Sequence, residues 1–146
     1  MTANPKIFLA LDVGTSRIGL ALARSDTRLP QPFQTLPHND NWLNELKQII
    51  DEQQVNALVV GLPRGLNGQD TVQTQVVRTL AEQLETLNLP IFLQDEALTS
   101  VNAEAELKAR GVGYNKADVD ALAATYILED FLRQHAEVTG GELPAQ

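Results

Sequence analysis

Short apolar runs recur along this chain, separated by longer stretches in which apolar residues follow a helical spacing. Residues 6–12 and 17–23 are apolar runs on either side of a glycine-containing turn, which predicts a hairpin of buried strands. A third short strand is predicted over 33–36, where a proline follows. The continuous apolar character of 57–61 predicts an interior strand covered on both faces, and 90–94 predicts a last strand.

Four amphipathic helices are predicted between and after these strands, over about 42–54, 72–87, 99–110 and 117–132. The candidate N-caps are Asn39 or Asp40, Asp70 or Thr71, and Thr99 or Ser100. In the second helix, the residues expected to form the buried stripe are Val72, Val76, Leu80, Leu84 and Leu87.

The order of these elements predicts an α/β fold in which a mixed β-sheet is flanked by α-helices. We expect a single domain over 1–134 and a flexible C-terminal tail over 135–146. The chain has no cysteine, which excludes disulfides and thiolate metal sites. No apolar run reaches the roughly 18 residues of a membrane span, and the first residues lack the features of a signal peptide, so we expect a cytoplasmic protein.

The net charge of −8 argues against a general, sequence-blind nucleic-acid binder, because such proteins are usually basic. It leaves room for a nucleic-acid enzyme with a local basic patch. Part of the acidity is consistent with a carboxylate cluster that holds divalent cations. Asp12 is the first candidate, because a carboxylate at the end of a buried strand is costly unless it is paired, hydrogen-bonded or bound to a metal. Gly14, in the turn that follows, is expected to adopt a positive φ.

Two further acidic sites stand beside predicted element ends. Asp95 and Glu96 follow the last strand, and Asp118 and Asp120 open the last helix. At about 100° per residue, Asp120 shares a narrow sector with apolar residues of that helix, which predicts that it faces the sheet and that Asp118 lies on the surface. The apolar residues of that sector are Ala123, Ala124, Ile127 and Phe131.

Three inward carboxylates at one sheet edge would repel one another, and Mg²⁺ or Mn²⁺ resolves that repulsion because these ions prefer oxygen ligands. Each acid also has a purely structural interpretation. Asp12 is able to close the turn, Asp95 to cap a helix, and Asp120 to favour a helix N-terminus through the dipole. The residue pattern alone leaves these alternatives open.

Five pieces in the same order resemble the YqgF/RuvX family over about residues 7–132. The matching pieces are Asp12-Val13-Gly14-Thr15 with Ile18-Gly19-Leu20-Ala21; Val60-Gly61-Leu62-Pro63 with Gly68; Gln75, Val77-Arg78 and Ala81; Asp95-Glu96-Ala97-Leu98-Thr99-Ser100; and Lys116, Val119-Asp120, Ala123-Ala124 and Ile127-Leu128. The Asp-x-Gly-Thr piece alone is weak, because actin-like ATPases share it. Five ordered pieces are specific.

The resemblance implies an RNase H-like fold and a metal-dependent nuclease. The family is described as Holliday-junction resolvases and is implicated in maturing the 5′ end of the small-subunit ribosomal RNA precursor. Its acidic triad corresponds to Asp12, Glu96 and Asp120, which the resemblance implies are catalytic residues that bind Mg²⁺ or Mn²⁺. Where the family usually carries an arginine after the Asp-Glu pair, this chain has Ala97.

Four cations at loops or element ends are candidate contacts to nucleic-acid phosphates: Arg17, Arg64, Arg110 and Lys116. Each is equally consistent with a solvated surface charge. We expect His38 and His135 on the surface and Trp42 in the core.

Three functions compete at this point. The first is a nuclease acting on structured RNA or branched DNA. The second is a nucleic-acid-binding module that keeps the fold and cleaves nothing, suggested by the acidity and by Ala97. The third is an actin-like ATPase, suggested by Asp-x-Gly-Thr, although such enzymes need two such domains and this chain has room for one.

Overall fold

The computed structural model of the chain describes residues 4–96, 99–111 and 113–136, which form one mixed five-stranded sheet with helices on both faces. The strands are β1 (Ile7–Val13), β2 (Arg17–Arg24), β3 (Gln31–Pro37), β4 (Ala57–Pro63) and β5 (Ile91–Glu96). Their order is β3-β2-β1-β4-β5, with β1, β2 and β3 antiparallel and β1, β4 and β5 parallel. The five predicted strands and the α/β fold class are confirmed. The C-terminal ends of β1, β4 and β5 lie together at one edge, which we call the carboxyl edge.

The four predicted helices are also confirmed. They are α1 (Trp42–Gln53), α2 (Val72–Leu84, followed by a 3₁₀ turn over Glu85–Leu87), α3 (Thr99–Ala109) and α4 (Lys116–Gln134). Thr71 caps α2, as predicted, and forms a reciprocal capping box with Thr74. The N-cap of α1 is Asn41, so the prediction of Asn39 or Asp40 was wrong by one or two residues. The side chains of Thr99 and Ser100 lie outside the described part of the chain.

The two faces of the sheet are covered by different helices. Odd-numbered residues of β1, Leu9 and Leu11, pack in one core cluster with residues of α1 and α2. Even-numbered residues, Phe8 and Ala10, pack in a second cluster with α4. This alternation follows from the two-residue side-chain period of a strand, and it determines the face on which every later residue of the strand lies.

Helix α4 approaches the sheet closely because glycine stands at two crossing points. A Cβ atom on Gly19 of β2 would lie 2.1 Å from the carbonyl oxygen of Asp120, and one on Gly61 of β4 would lie 2.3 Å from Cδ1 of Ile127. Helix α4 thus runs across β2 near its start and across β4 further along. Asp120 is brought against the sheet by this contact.

Two local predictions were wrong. The buried face of α2 contains Thr74, Val77, Leu80, Ala81 and Leu84, whereas Val72 and Val76 are 85% and 41% exposed. Steps of four residues turn 400°, so the predicted stripe drifts by about 40° at each step and its first two members leave the core face. Gly14 does not adopt a positive φ. Glycine suits this position for a different reason, because a Cβ atom on residue 14 would lie only 2.9 Å from the Arg17 carbonyl oxygen.

Trp42 is buried in the core, as predicted. His135 is half-buried rather than a surface residue, because its ring stacks on Phe131 with 4.3 Å between ring centroids. Beyond position 136, the predicted flexible tail lies outside the described residues. Ala97 also lies outside them. None of the helices in the described ranges is long and apolar enough to cross a membrane.

Candidate active site at the carboxyl edge

The three acids of the candidate site lie on the same side of the sheet. Asp12 continues the even-numbered face of β1 that packs against α4, and Glu96 continues the corresponding face of β5 after Phe92 and Gln94. Asp120 faces the sheet from α4 itself. Strands β1 and β5 are parallel but are separated by β4, so Asp12 and Glu96 are not on adjacent strands.

Asp12 is the central carboxylate of this arrangement. Its side chain is half-buried, and burial together with the neighbouring negative charge of Asp120 raises the pKa of the Asp12 carboxyl from 3.8 to about 7. No ion pair or hydrogen bond to this side chain occurs within the described residues. Its raised pKa therefore reflects an uncompensated carboxylate, the situation that a bound cation relieves.

Asp120 has a cationic partner. The guanidinium Nε of Arg17 donates to Asp120 Oδ2 at 2.6 Å, a charge-assisted contact between side chains 103 positions apart in sequence. The two side chains are 38% and 18% exposed. The prediction that Asp120 faces inward and Asp118 lies on the surface is confirmed, because Asp118 is exposed and its Oδ2 accepts from the Asn115 backbone N–H at 2.9 Å.

Glu96 lies against a fourth acid, Asp130, that the sequence did not single out. Burial, a hydrogen bond with the Asp130 carboxyl and the negative charge of Asp130 raise the pKa of Glu96 to about 9, while Arg133, which pairs with Asp130, acts in the opposite direction. Glu96 Oε1 is buried without a hydrogen-bond partner among the described residues. The spacing contained a signal for Asp130, since it follows the inward Ile127 by three residues, which are neighbours on a helix.

The carboxylates of the three predicted acids do not converge on a single point. Charge effects link Asp12 to Asp120 on one side and, more weakly, to Glu96 on the other. Within the described residues, however, no three acidic or histidine side chains converge closely enough to form one metal centre. The structure thus brings the acids to one face and one edge, with Arg17 and Arg133 beside the outer two.

The turn after β1 is held by two side chains from outside it. Gln73 Nε2 donates to the Val13 carbonyl at 3.0 Å, and His38 Nδ1 lies 2.6 Å from the Gly14 carbonyl oxygen. His38 is therefore half-buried beside the candidate site, so the surface prediction for it was wrong. These contacts position the segment that carries Asp12.

The remaining predicted cations are distributed unevenly. Arg64 follows β4 at the carboxyl edge, where its backbone N–H donates to the Glu96 carbonyl and its side chain pairs with Asp70 and Asp95. Asp95 points away from the α4 face and is exposed. The other two cations are exposed: Arg110 pairs with Glu106 on α3, and Lys116 is the first residue of α4.

Comparison with solved structures identifies the fold. Thermus thermophilus RuvC in complex with a Holliday junction substrate matches with a TM-score of 0.54 at 12% identity, covering 92% of this chain and 98% of RuvC. A second Thermus thermophilus RuvC structure matches with a TM-score of 0.51 at 11% identity, over 91% and 98% of the two chains. At these identities the likeness shows the fold alone, and it confirms the RNase H-like prediction.

Sequence comparison identifies the family. The model of the RuvX family, described as Holliday junction resolvase, matches residues 6–134. A Maridesulfovibrio salexigens protein named "Putative pre-16S rRNA nuclease" is 40% identical over 129 residues, covering 85% of this chain and 96% of that protein. A Chloroflexus aurantiacus protein of the same name is 37% identical over 134 residues, 88% of each chain. The resemblance is confirmed, and the chain belongs to the RuvX family of nucleic-acid hydrolases.

Proposed function

We propose that this chain is a divalent-metal-dependent nuclease that hydrolyses phosphodiester bonds during maturation of the 5′ end of pre-16S rRNA. The observation that carries the proposal is Asp12, a half-buried carboxylate with no ion pair or hydrogen bond among the described residues, whose pKa is raised by burial and by the charge of Asp120. The names of the relatives support this RNA as the substrate. With such a substrate, the enzyme acts in the cytoplasm.

The chemistry of the side chains at the carboxyl edge suits a divalent cation, although the described acids do not converge on one point. They supply carboxylate oxygens, which Mg²⁺ and Mn²⁺ prefer, and Glu96 offers a buried Oε1 without a partner among the described residues. We therefore assign Asp12, Glu96 and Asp120 as the metal ligands and catalytic residues. When bound, the ion polarises the phosphate and activates a water for hydrolysis.

The other residues have supporting roles in this proposal. Gln73 and His38 fix the turn that presents Asp12. Arg17, which pairs with Asp120, and Arg64, which follows β4 at the carboxyl edge, would contact phosphates of the nucleic acid. Arg110 and Lys116 would contact the nucleic acid further away. With a net charge of −8, we expect weak binding that falls with salt.

A four-way DNA junction is the second candidate substrate. The description of the family model and the RuvC fold favour it. The two substrates share the same chemistry at the acids, so they differ only in which nucleic acid reaches the carboxyl edge. A direct comparison of cleavage therefore separates them.

The test measures cleavage of a pre-16S RNA carrying its 5′ leader, in Mn²⁺ or Mg²⁺ and in a chelator, alongside a labelled four-way DNA junction. We expect a metal-dependent trimmed RNA product that Asp12→Asn and Asp120→Asn abolish. Asp118→Asn is the matched control, because it removes an exposed acid two positions earlier on α4 while its amide oxygen still caps the helix. The control is expected to cleave like the wild type.

Three results would revise the proposal. Cleavage of the junction alone would identify a resolvase. Binding of either nucleic acid without cleavage would favour the non-cleaving module, and Ala97→Arg would then be the first restoration to try. Cleavage that persists in Asp12→Asn would remove Asp12 from the catalytic site.

A further inference from the structure

We propose that the Arg17 guanidinium pairs with Asp120 when no metal is bound, and binds a substrate phosphate when a divalent ion replaces it on Asp120. This inference rests on the nuclease function proposed above. It assigns one residue two successive partners. It also explains why Arg17, a candidate phosphate-binding residue, is paired with Asp120, a candidate metal ligand.

The contact between the two side chains is short and direct. Arg17 Nε donates to Asp120 Oδ2 at 2.6 Å, the distance of a charge-assisted hydrogen bond. Asp120 is also a close neighbour of Asp12, because Asp12 pairs with Gly19 in the ladder between β1 and β2 and the Asp120 backbone lies against Gly19. Arg17 therefore stands where a cation shared by Asp12 and Asp120 would meet Asp120.

The backbones on both sides of this contact are fixed. The Arg17 carbonyl accepts from the Gly14 N–H at 2.8 Å, and Arg17 pairs with Pro37 in the ladder between β2 and β3. The Asp120 backbone is pressed against Gly19 of the same strand. Any exchange of partners must therefore occur by rotation of the long Arg17 side chain, which is 38% exposed and has solvent on one side.

The exchange follows from competition for the same oxygen. A carboxylate oxygen that accepts a guanidinium N–H has fewer lone pairs free for a divalent ion. The described acids also do not converge on one point while this contact is made. With Asp120 bound to a divalent ion, the guanidinium would be displaced but would remain beside the proposed metal ligands, where a substrate phosphate would bind. A planar guanidinium binds phosphate as readily as carboxylate.

A static role makes the opposite prediction. If Arg17 stayed on Asp120 and only oriented its carboxylate towards the metal, removing Arg17 would weaken metal binding. If Arg17 competes with the metal, removing it strengthens metal binding. The sign of the change in metal affinity therefore separates the two.

The experiment is calorimetric titration of the full chain with Mn²⁺ alone, comparing wild type with Arg17→Gln, Arg17→Lys and Arg24→Gln. Arg24→Gln is the matched control, because Arg24 lies at the opposite end of β2 and is also paired with an aspartate, Asp26, at 2.8 Å. Arg17→Lys keeps the positive charge and loses the planar fork, so it separates the hydrogen bond from long-range charge. Melting curves confirm that each variant is folded, and Arg17→Lys carries the test if Arg17→Gln does not fold.

We expect Arg17→Gln to bind Mn²⁺ about three- to tenfold more tightly than wild type, Arg17→Lys to be intermediate, and Arg24→Gln to stay within about twofold. In Ca²⁺, binding of the labelled RNA by Arg17→Gln should be weaker, with a salt slope smaller by about 0.7 to 0.9, the loss of one phosphate contact. An unchanged slope would overturn the transfer to phosphate.

Equal or weaker Mn²⁺ binding by Arg17→Gln, in a wild type that binds Mn²⁺ and cleaves, would overturn the inference and leave the nuclease proposal intact. A wild type that binds no Mn²⁺ and cleaves nothing would overturn both. The control readings on Arg24→Gln show whether a change belongs to the contact with Asp120 or to the loss of any positive charge.

Discussion

Replacing Asp12 by asparagine is expected to make the metal-free protein more stable at neutral and alkaline pH. The native carboxyl has a pKa of about 7, whereas its ordinary value is 3.8. Between these values the native state keeps a proton that the unfolded chain has released. The free energy of unfolding of wild type therefore falls as pH rises from about 4 through 7, and the loss is complete above 7. Asparagine has no such proton.

The magnitude follows from the same two values. A difference of about three pKa units corresponds to about 4 kcal/mol at full effect, since each unit is worth 1.36 kcal/mol. Water at the half-buried carboxylate reduces this, so we expect a gain of about 2 to 4 kcal/mol for Asp12→Asn at pH 8. Against a total stability of about 5 to 15 kcal/mol for a domain, that change is easily measured.

Urea denaturation in a chelator, at pH 4.5 and pH 8, provides the assay. The chain has a single tryptophan, Trp42, which is buried in the core and reports unfolding by fluorescence. Asp51→Asn is the control, because Asp51 is exposed on α1 and the charge change is the same. The stabilisation should appear at pH 8, shrink to about 1 kcal/mol at pH 4.5, just above the ordinary pKa of the carboxyl, and be absent in the control.

Two results would contradict this expectation: an Asp12→Asn variant no more stable than wild type at pH 8, or a difference in stability that does not depend on pH. Either result would mean that Asp12 is solvated or compensated in the native protein. Adding Mn²⁺ gives an independent check: it should stabilise wild type by preferential binding to the native state and leave Asp12→Asn almost unchanged.

Three further predictions concern packing, capping and the second raised carboxyl. Gly19→Ala is expected to lower the free energy of unfolding by about 2 to 3 kcal/mol, because the added Cβ meets the rigid Asp120 carbonyl. Gly61→Ala should lower it by about 1 kcal/mol or less, because the added Cβ meets the Ile127 side chain, which is able to rotate. Equal losses in urea denaturation would contradict this expectation. Asn115→Ala removes the N-cap of α4 and should cost about 1 kcal/mol, seen as a lower melting temperature that Asn115→Ser largely restores. Because burial and Asp130 raise the pKa of Glu96 to about 9, metal-free wild type should keep losing stability between pH 7 and 9, and Glu96→Gln should flatten that part of the profile in the same denaturation series.

Local patterns in the sequence were enough to predict the strands, the helices and the acids of the candidate site. Alternation and apolar runs predicted the strands because side-chain direction along a strand is a local property with a period of two. The helical spacing around Asp120 predicted its inward direction for the same kind of reason. Leu122, an apolar residue on the same side of α4 as Asp118, packs instead against α3, in a cluster with Ala103 and Leu107.

Which charged side chains meet depends on how α4 packs across the sheet. Arg17 and Asp120 are 103 positions apart, and their contact exists because Gly19 lets α4 rest directly on β2. Asp130 reaches Glu96 because α4 crosses the sheet from β2 towards β5. Val72 and Val76 are left exposed because the face of α2 is set by what it packs against. Such pairings depend on how layers pack across the sheet, and no local period in the sequence encodes them.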